Sequence, residues 1–207
     1  MESGKCLRKW KRLISVGGDS VAQRSSGYQR KRNDAYYTPA WVTRALLPHI
    51  PPQVKAIWEP ACGRGAIVSE LRIGGYGVVA TDLKDGQNFL DQEFLIEAVI
   101  TNPPYGLAEE FITHALIMTR AHLGFVAMLL STDFDHAKRR RHLFGRCPQF
   151  AKKLVLTKRI VWFNPVVASP SSNHGWFCWD WQHRGPPVLE YYYENQDEAP
   201  KRSHRAD

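Results

Sequence analysis

A strand, a glycine turn, a helix and a second strand ending in an acid follow one another between Val54 and Asp82, and this run constrains the fold more than anything else in the chain. VKAIW, Val54 to Trp58, has the composition of a short buried strand. Glu59-Pro60-Ala61-Cys62-Gly63-Arg64-Gly65 cannot continue it, because Pro60 removes a ladder donor and the glycines permit a sharp reversal. AIVSELRI then has helical spacing, Gly74-Gly75 ends it as C-cap residues do, and YGVVATD forms a strand that closes on Asp82. Such a β-α-β unit requires parallel pairing of its strands. The fold expected is α/β, built on a mostly parallel sheet.

The turn and the acid also specify a ligand. Gly63 and Gly65 let the backbone turn sharply and let a bound molecule approach closely. Asp82, 17 residues beyond Gly65, closes the second strand where a carboxylate can accept two hydrogen bonds from ribose hydroxyls. The cofactor class is adenosine-containing, and NAD, FAD and S-adenosylmethionine all qualify. Two details favour S-adenosylmethionine. The glycine pattern stops at two, and Glu59 stands at the mouth, where a carboxylate repels a pyrophosphate and attracts an ammonium and a sulfonium.

Further on, AVIT, Ala98 to Thr101, reads as a buried strand that runs into Asn102-Pro103-Pro104-Tyr105-Gly106. Two consecutive prolines hold the backbone stiff and extended, so an amide, a rigid turn and an aromatic ring are presented at a strand's carboxyl end, the place where open α/β sheets bind ligands. The chemistry suits a planar exocyclic amine, a poor nucleophile because its lone pair is delocalised into the ring. The Asn102 side-chain oxygen and the Pro103 carbonyl, fixed by Pro104, can accept both N–H hydrogens, and Tyr105 offers a face for stacking.

Around these pieces the chain reads as one domain over residues 34–193, with a basic stretch over residues 1–33 and a polar tail over residues 194–207, both expected to be disordered. Tyr36-Tyr37-Thr38-Pro39 opens the ordered part, with Thr38 as N-cap and Pro39 in the first helical position ahead of AWVTRALL. LAEEFITHALIMTRAH repeats Leu107, Phe111, Ala115 and Met118 at helical spacing, and LGFVAMLLS is a strand buried on both faces. Lys138-Arg139-Arg140-Arg141-His142 is a basic run in a stretch expected to be helical. KKLVLTKRIVWF holds another strand, residues 164–175 form a loop, and WFCWDW is the last strand expected.

Net charge is +8 with a pI near 9.4, which favours an anionic partner, nucleic acid being the usual one. Cys6, Cys62, Cys147 and Cys178 lack zinc-like spacing, so reduced thiols and no metal are expected. No apolar run approaches the ~18 to 20 residues of a membrane span, and no secretory signal opens the chain, so a soluble, cytoplasmic protein without a membrane partner is expected.

Over about residues 36–182 the chain resembles small S-adenosylmethionine-dependent DNA adenine-N6 methyltransferases of the phage or prophage type. The resemblance is carried in order by YYTPAWV, IWEPACGRGAI, VVATDL, ITNPPYG, GFVAMLLSTDF, HAKRRRHLF, KRIVWF and GWFCWDW. It implies a Rossmann-like class I methyltransferase sheet of about seven strands, the last antiparallel. It further implies that Tyr37, Thr38 and Pro39 line the methionine end of the cofactor beside Glu59, Ala61, Cys62, Gly63 and Gly65. Asp82 then binds the ribose, and Asn88 and Phe89 stand at the adenine pocket. The target adenine, flipped from the duplex, is held by Asn102, Pro103, Pro104 and Tyr105 while its N6 attacks the methyl carbon in a single in-line displacement, with no covalent intermediate.

Two departures stand out. Such enzymes commonly place Asp where Asn88 is, and no long segment remains for a separate target-recognition domain. Lys138, Arg139, Arg140 and Arg141, with the 164–175 loop, are the sizeable candidates for contacting DNA, and Phe163 and Trp176 are candidates for walling a flipped base. Methylation of adenine in RNA or of a protein glutamine, and a non-catalytic nucleic-acid-binding relative, are the competing readings.

Overall fold

Among the described residues, 37–160 and 173–193 of the computed structural model, seven strands form one sheet. In chain order they are β1 (Ala56–Glu59), β2 (Gly77–Ala80), β3 (Ala98–Thr101), β4 (Phe125–Ser131), β5 (Phe150–Leu156), β6 (His174–Asp180) and β7 (Val188–Tyr192), and their spatial order is β2-β1-β3-β4-β6-β5-β7. β6 runs antiparallel to both its neighbours, β4 and β5, and every other pairing is parallel. The β-α-β reading of Val54 to Asp82 is therefore correct, and WFCWDW is the reversed strand. β7, beyond it, has no counterpart in the sequence reading. It is an edge strand with Val188, Leu189 and Tyr191 exposed, and an edge strand needs no apolar run to mark it.

The sheet is covered on both faces, which accounts for its uninterrupted apolar strands. Helices α1 (Ala40–Leu46) and α2 (Ala66–Ile73) bury Val42, Ala45, Leu46, Ile67 and Leu71 against Ile57, Ile100, Leu129 and Trp176 on one face. On the other face, α3 (Ala108–Thr119) sets Phe111, Ile112, Ala115 and Met118 among residues that include Trp58, Val99, Met128, Phe177 and Trp179. Adjacent residues such as Trp176 and Phe177 thus serve opposite layers. Buried indole N–H groups need acceptors, and each finds one: Trp58 donates to Thr81 Oγ1 at 2.8 Å, Trp176 to the Val42 carbonyl at 2.8 Å and Trp179 to the Leu143 carbonyl at 2.7 Å. Trp176 is therefore a core residue that fastens α1 to the sheet.

Three local expectations need correcting. Thr38 does not cap α1: Pro39 is the N-cap, in an extended conformation, and Thr38 is buried one residue further back with its hydroxyl turned to Asn102. The basic run is a single 3-10 turn, Lys138–Arg140, because Arg140 folds back over Phe134 and donates to its carbonyl at 2.9 Å. Leu107 likewise falls outside α3, in a 3-10 turn over Tyr105–Leu107, and is exposed. The stretch over residues 1–33, Tyr36, Phe163, residues 164–172 of the loop and the tail over residues 194–207 lie outside the described residues.

Strand order fixes where a ligand can sit. β2 lies on one side of β1 and β3 on the other, so the chain changes direction across the sheet between β1 and β3. The carboxyl ends flanking such a switch point are splayed by diverging connections and leave a crevice. Glu59 ends β1, and Thr101 ends β3.

Candidate active site

The glycine turn after β1 folds back on the end of β2. Gly63 and Gly65 take positive φ, 53° and 81°, values that favour glycine, and Gly65 serves as the N-cap of α2. No heavy atom lies within 4 Å of where a Cβ would stand on either, so this backbone faces open space. Asp82 holds the turn in place. One carboxylate oxygen accepts from Gly63 N at 2.7 Å and the other from Lys84 N at 2.9 Å, while Lys84 Nζ reaches the Gly63 carbonyl. Each oxygen keeps a second lone pair, so Asp82 can still accept from a ligand hydroxyl.

Glu59 is fully buried (0% exposed). Its Oε1 accepts from the Thr101 hydroxyl and from Ala61 N, and its Oε2 has no hydrogen-bond partner. Burial pushes its carboxyl up to about 8, opposed by the hydrogen bonds from Thr101 and Ala61 and reinforced by the nearby charge of Asp82. An unpartnered buried carboxyl oxygen in an acidic pair is suited to a cation. Cys62, beside it, has its thiol raised by burial and by the Glu59 and Asp82 charges.

The Glu59–Thr101 bond crosses the switch point and ties the glycine turn to the segment Asn102 to Tyr105. Asn102 follows Thr101, and its amide nitrogen donates to the buried Thr38 hydroxyl at 3.4 Å, leaving its oxygen as the acceptor free for a ligand. Pro103 is buried, Pro104 exposed and Tyr105 half-buried. The Tyr105 hydroxyl lies 2.8 Å from Nε2 of His174, a residue the sequence reading missed. No local signal marks His174, because it enters the site only through the pairing of β6 with β4, where it stands opposite Ser131.

Glu59, Ala61, Cys62, Gly63, Gly65, Asp82 and Asn102 to Tyr105 thus belong to segments at the carboxyl ends of β1, β2 and β3, and Tyr37, Thr38 and Pro39 lead into α1, Thr38 reaching Asn102. Tyr37 is exposed. The adenine-pocket pair stands differently. Asn88 caps a 3-10 turn, its oxygen accepting from Leu90 N at 3.3 Å and its amide donating to Asp91 at 2.7 Å. That bond places the Asp91 carboxylate beside Asn88, an acceptor with no signal of its own in the sequence. Phe89 is 1% exposed and packs edge-on against Trp58, with Phe111 and His114 around it, so it forms the floor under this turn.

The basic turn follows β4 and is fastened to the first turn of α3. Glu109 faces Nε of Arg139 at 3.9 Å, Nε of Arg140 at 3.5 Å and Nε2 of His142 at 3.8 Å. Arg140 is half-buried, its guanidinium 3.8 Å from the Phe134 ring centroid, whereas Lys138, Arg139 and Arg141 are exposed. Lys153 on β5 anchors the same connection through Asp135 and the Thr132 carbonyl. Among the described residues there is no cluster of His, Cys, Asp and Glu able to hold a metal ion, and no helix is long and apolar enough to cross a membrane.

No protein-family model and no curated protein sequence matches this chain. Its fold, however, is that of class I methyltransferases. A putative class I S-adenosylmethionine-dependent methyltransferase from Listeria monocytogenes superposes with a TM-score of 0.50 at 14% identity, over 92% of this chain and 73% of that one. The methyltransferase subunit of a type I restriction-modification system from Streptococcus thermophilus gives 0.50 at 12% identity over 72% of this chain, which spans only 45% of that subunit. A putative RNA methyltransferase from Pyrococcus horikoshii gives 0.50 at 12% identity, over 68% of this chain and 81% of that one.

Proposed function

We propose that the protein transfers a methyl group from S-adenosylmethionine to the N6 amine of adenine in DNA. The observation that carries this reading is the Glu59–Thr101 hydrogen bond, because it joins a cation-seeking acid of the cofactor turn to the residue next to Asn102. S-adenosylmethionine, when bound, supplies an electrophilic methyl on a sulfonium. On the protein side, Asp82 receives the ribose hydroxyls, and Glu59 with the turn from Ala61 to Gly65 receives the methionine end, flanked by Tyr37, Thr38 and Pro39. Asn88 and Asp91 hydrogen-bond at the adenine end, above Phe89.

On the acceptor side, the Asn102 oxygen and the Pro103 carbonyl accept the two amine hydrogens, which favours a rehybridised amine and frees its lone pair. Pro104 keeps that carbonyl in place and Tyr105 stacks on the base. The transfer is direct. An enzyme that first attacks the base needs an activated thiolate, and the three described cysteines are the opposite: burial raises the thiols of Cys62 and Cys147, and pushes that of Cys178 up to about 12.

The choice of DNA is supported by the exposed basic residues Lys138, Arg139 and Arg141 on the connection after β4, and by likeness to the restriction-modification subunit. Adenine in RNA is the second reading, favoured by likeness to the putative RNA methyltransferase. The test is to incubate the protein with labelled S-adenosylmethionine and unmethylated DNA, RNA or protein, and to digest the products for mass spectrometry. N6-methyladenine in DNA is expected; product confined to RNA or protein overturns the proposal. Asn102→Ala is expected to abolish transfer while leaving cofactor affinity, measured by calorimetry, within a few fold.

A further inference from the structure

We infer that His174 is a positioning residue for the acceptor pocket, anchoring the hydroxyl end of the Tyr105 ring on which the target base stacks. The inference rests on the proposed role of Tyr105 and adds to it a residue from a different part of the chain. Three observations support it. His174 is 2% exposed, so its imidazole is committed to the interior and not to solvent. It is the first residue of β6 and pairs with Ser131 at the end of β4, which brings it to the carboxyl end of the parallel strands. Its Nε2 lies 2.8 Å from the Tyr105 hydroxyl, with the ring centroids 6.1 Å apart and the planes tilted by 38°.

The tilt distinguishes positioning from stacking. The two rings are not parallel, so the contact between them runs through the hydrogen bond at the far end of the phenol and not face to face. Tyr105 itself sits in one 3-10 turn after two prolines, with only Gly106 and Leu107 before α3 begins. The prolines fix where its Cα stands, and the bond to His174 adds a fixed point for the phenol oxygen at the other end of the side chain, which restrains χ1. A phenol whose far end swings blurs the stacking surface, and a loss of alignment of this kind costs rate more than binding. A buried imidazole on a rigid strand restrains that swing.

The experiment uses the full-length chain with Tyr105→Phe, His174→Gln, His174→Phe and the double variant Tyr105→Phe/His174→Phe. Without any substrate, the His174 Nε2 resonance in 15N-histidine-labelled protein is expected to shift in Tyr105→Phe. An unchanged resonance overturns the inference, whatever the acceptor proves to be. In transfer assays with adenine-containing DNA, Tyr105→Phe and His174→Phe are each expected to lower kcat about tenfold or more with KM for S-adenosylmethionine unchanged. The double variant should be no worse than either single one, and His174→Gln, which keeps a hydrogen-bonding side chain, should recover most of the rate. Multiplying losses, or a loss in His174→Gln equal to that in His174→Phe, overturn it. Wild-type protein that fails to methylate DNA sinks the proposed function and leaves the resonance test in force.

Discussion

Glu59 shows how far a residue's identity is from its chemical state. Its position before the glycine turn marks it from sequence as an anion at the cofactor's mouth, but its full burial holds the proton on until about pH 8. The unfolded chain releases that proton near the ordinary value of 4.5. Folding therefore takes up a proton between those values: stability is greatest below 4.5, falls as pH rises towards 8, and is level above it, a change on the order of a few kcal/mol. Glu59→Gln is expected to flatten this slope in denaturant titrations at pH 5, 6.5 and 8. Cofactor binding should show the opposite trend, because a cation attracts the carboxylate and not the acid. Wild-type affinity for S-adenosylmethionine is expected to rise between pH 6 and 8 by at most about tenfold per unit, with proton release in calorimetry that depends on the buffer, and the Gln variant should lose both. Affinity in the wild type that falls over this range contradicts the assignment of Glu59.

At the scale of elements, the sequence shows which segments approach the crevice better than it shows how each is fastened. The glycine turn, Asp82 and NPPY lie at strand ends that apolar periodicity locates, so they are legible. The Thr38–Asn102 and Tyr105–His174 bonds join residues 64 and 69 positions apart, and only the packing of α1 on the sheet and the pairing of β6 with β4 bring them together. The basic turn is the case where composition misleads, since four adjacent cations read as one patch. Arg140 lies against Phe134 and Glu109 and donates to the Phe134 carbonyl, and these contacts fasten the turn against the cost of burial and of Arg139 beside it, which lower its guanidinium from the ordinary value. Arg141 projects into solvent. Arg141→Ala is accordingly expected to weaken DNA binding and reduce the slope of log affinity against log salt by about 1, with no change in thermal midpoint. Arg140→Ala should lower the thermal midpoint, because it removes a cation–π contact and leaves Glu109 less paired. Equal effects of the two on salt dependence would mean that the turn acts as an undivided patch.

For the whole molecule, the strands β1 to β6 were within reach of the sequence and the edge strand β7 was not, because it is half-solvated and carries no continuous apolar signal. Charge is organised at this scale too. Residues 1–33 hold nine basic residues, Lys5, Arg8, Lys9, Lys11, Arg12, Arg24, Arg30, Lys31 and Arg32, against Glu2 and Asp19, so this stretch supplies nearly all of the net +8 and the rest of the chain is close to neutral. In the remainder, part of the positive charge at the rim of the site is already matched internally, Arg139 and Arg140 by Glu109 and Lys153 by Asp135. On the proposed function, a polyanion is attracted mainly by the first 33 residues, while the Asn102–Tyr105 segment after β3 selects the base. Deleting residues 1–33 is expected to weaken DNA affinity at low salt and to flatten its salt dependence by several units of slope, since each phosphate contact contributes about 0.9 to it. With a short single-stranded adenine oligonucleotide at saturating concentration, the truncated protein should retain its kcat. Binding and catalysis would then separate, and a truncated protein with the full salt slope would move the DNA-binding surface to the turn after β4.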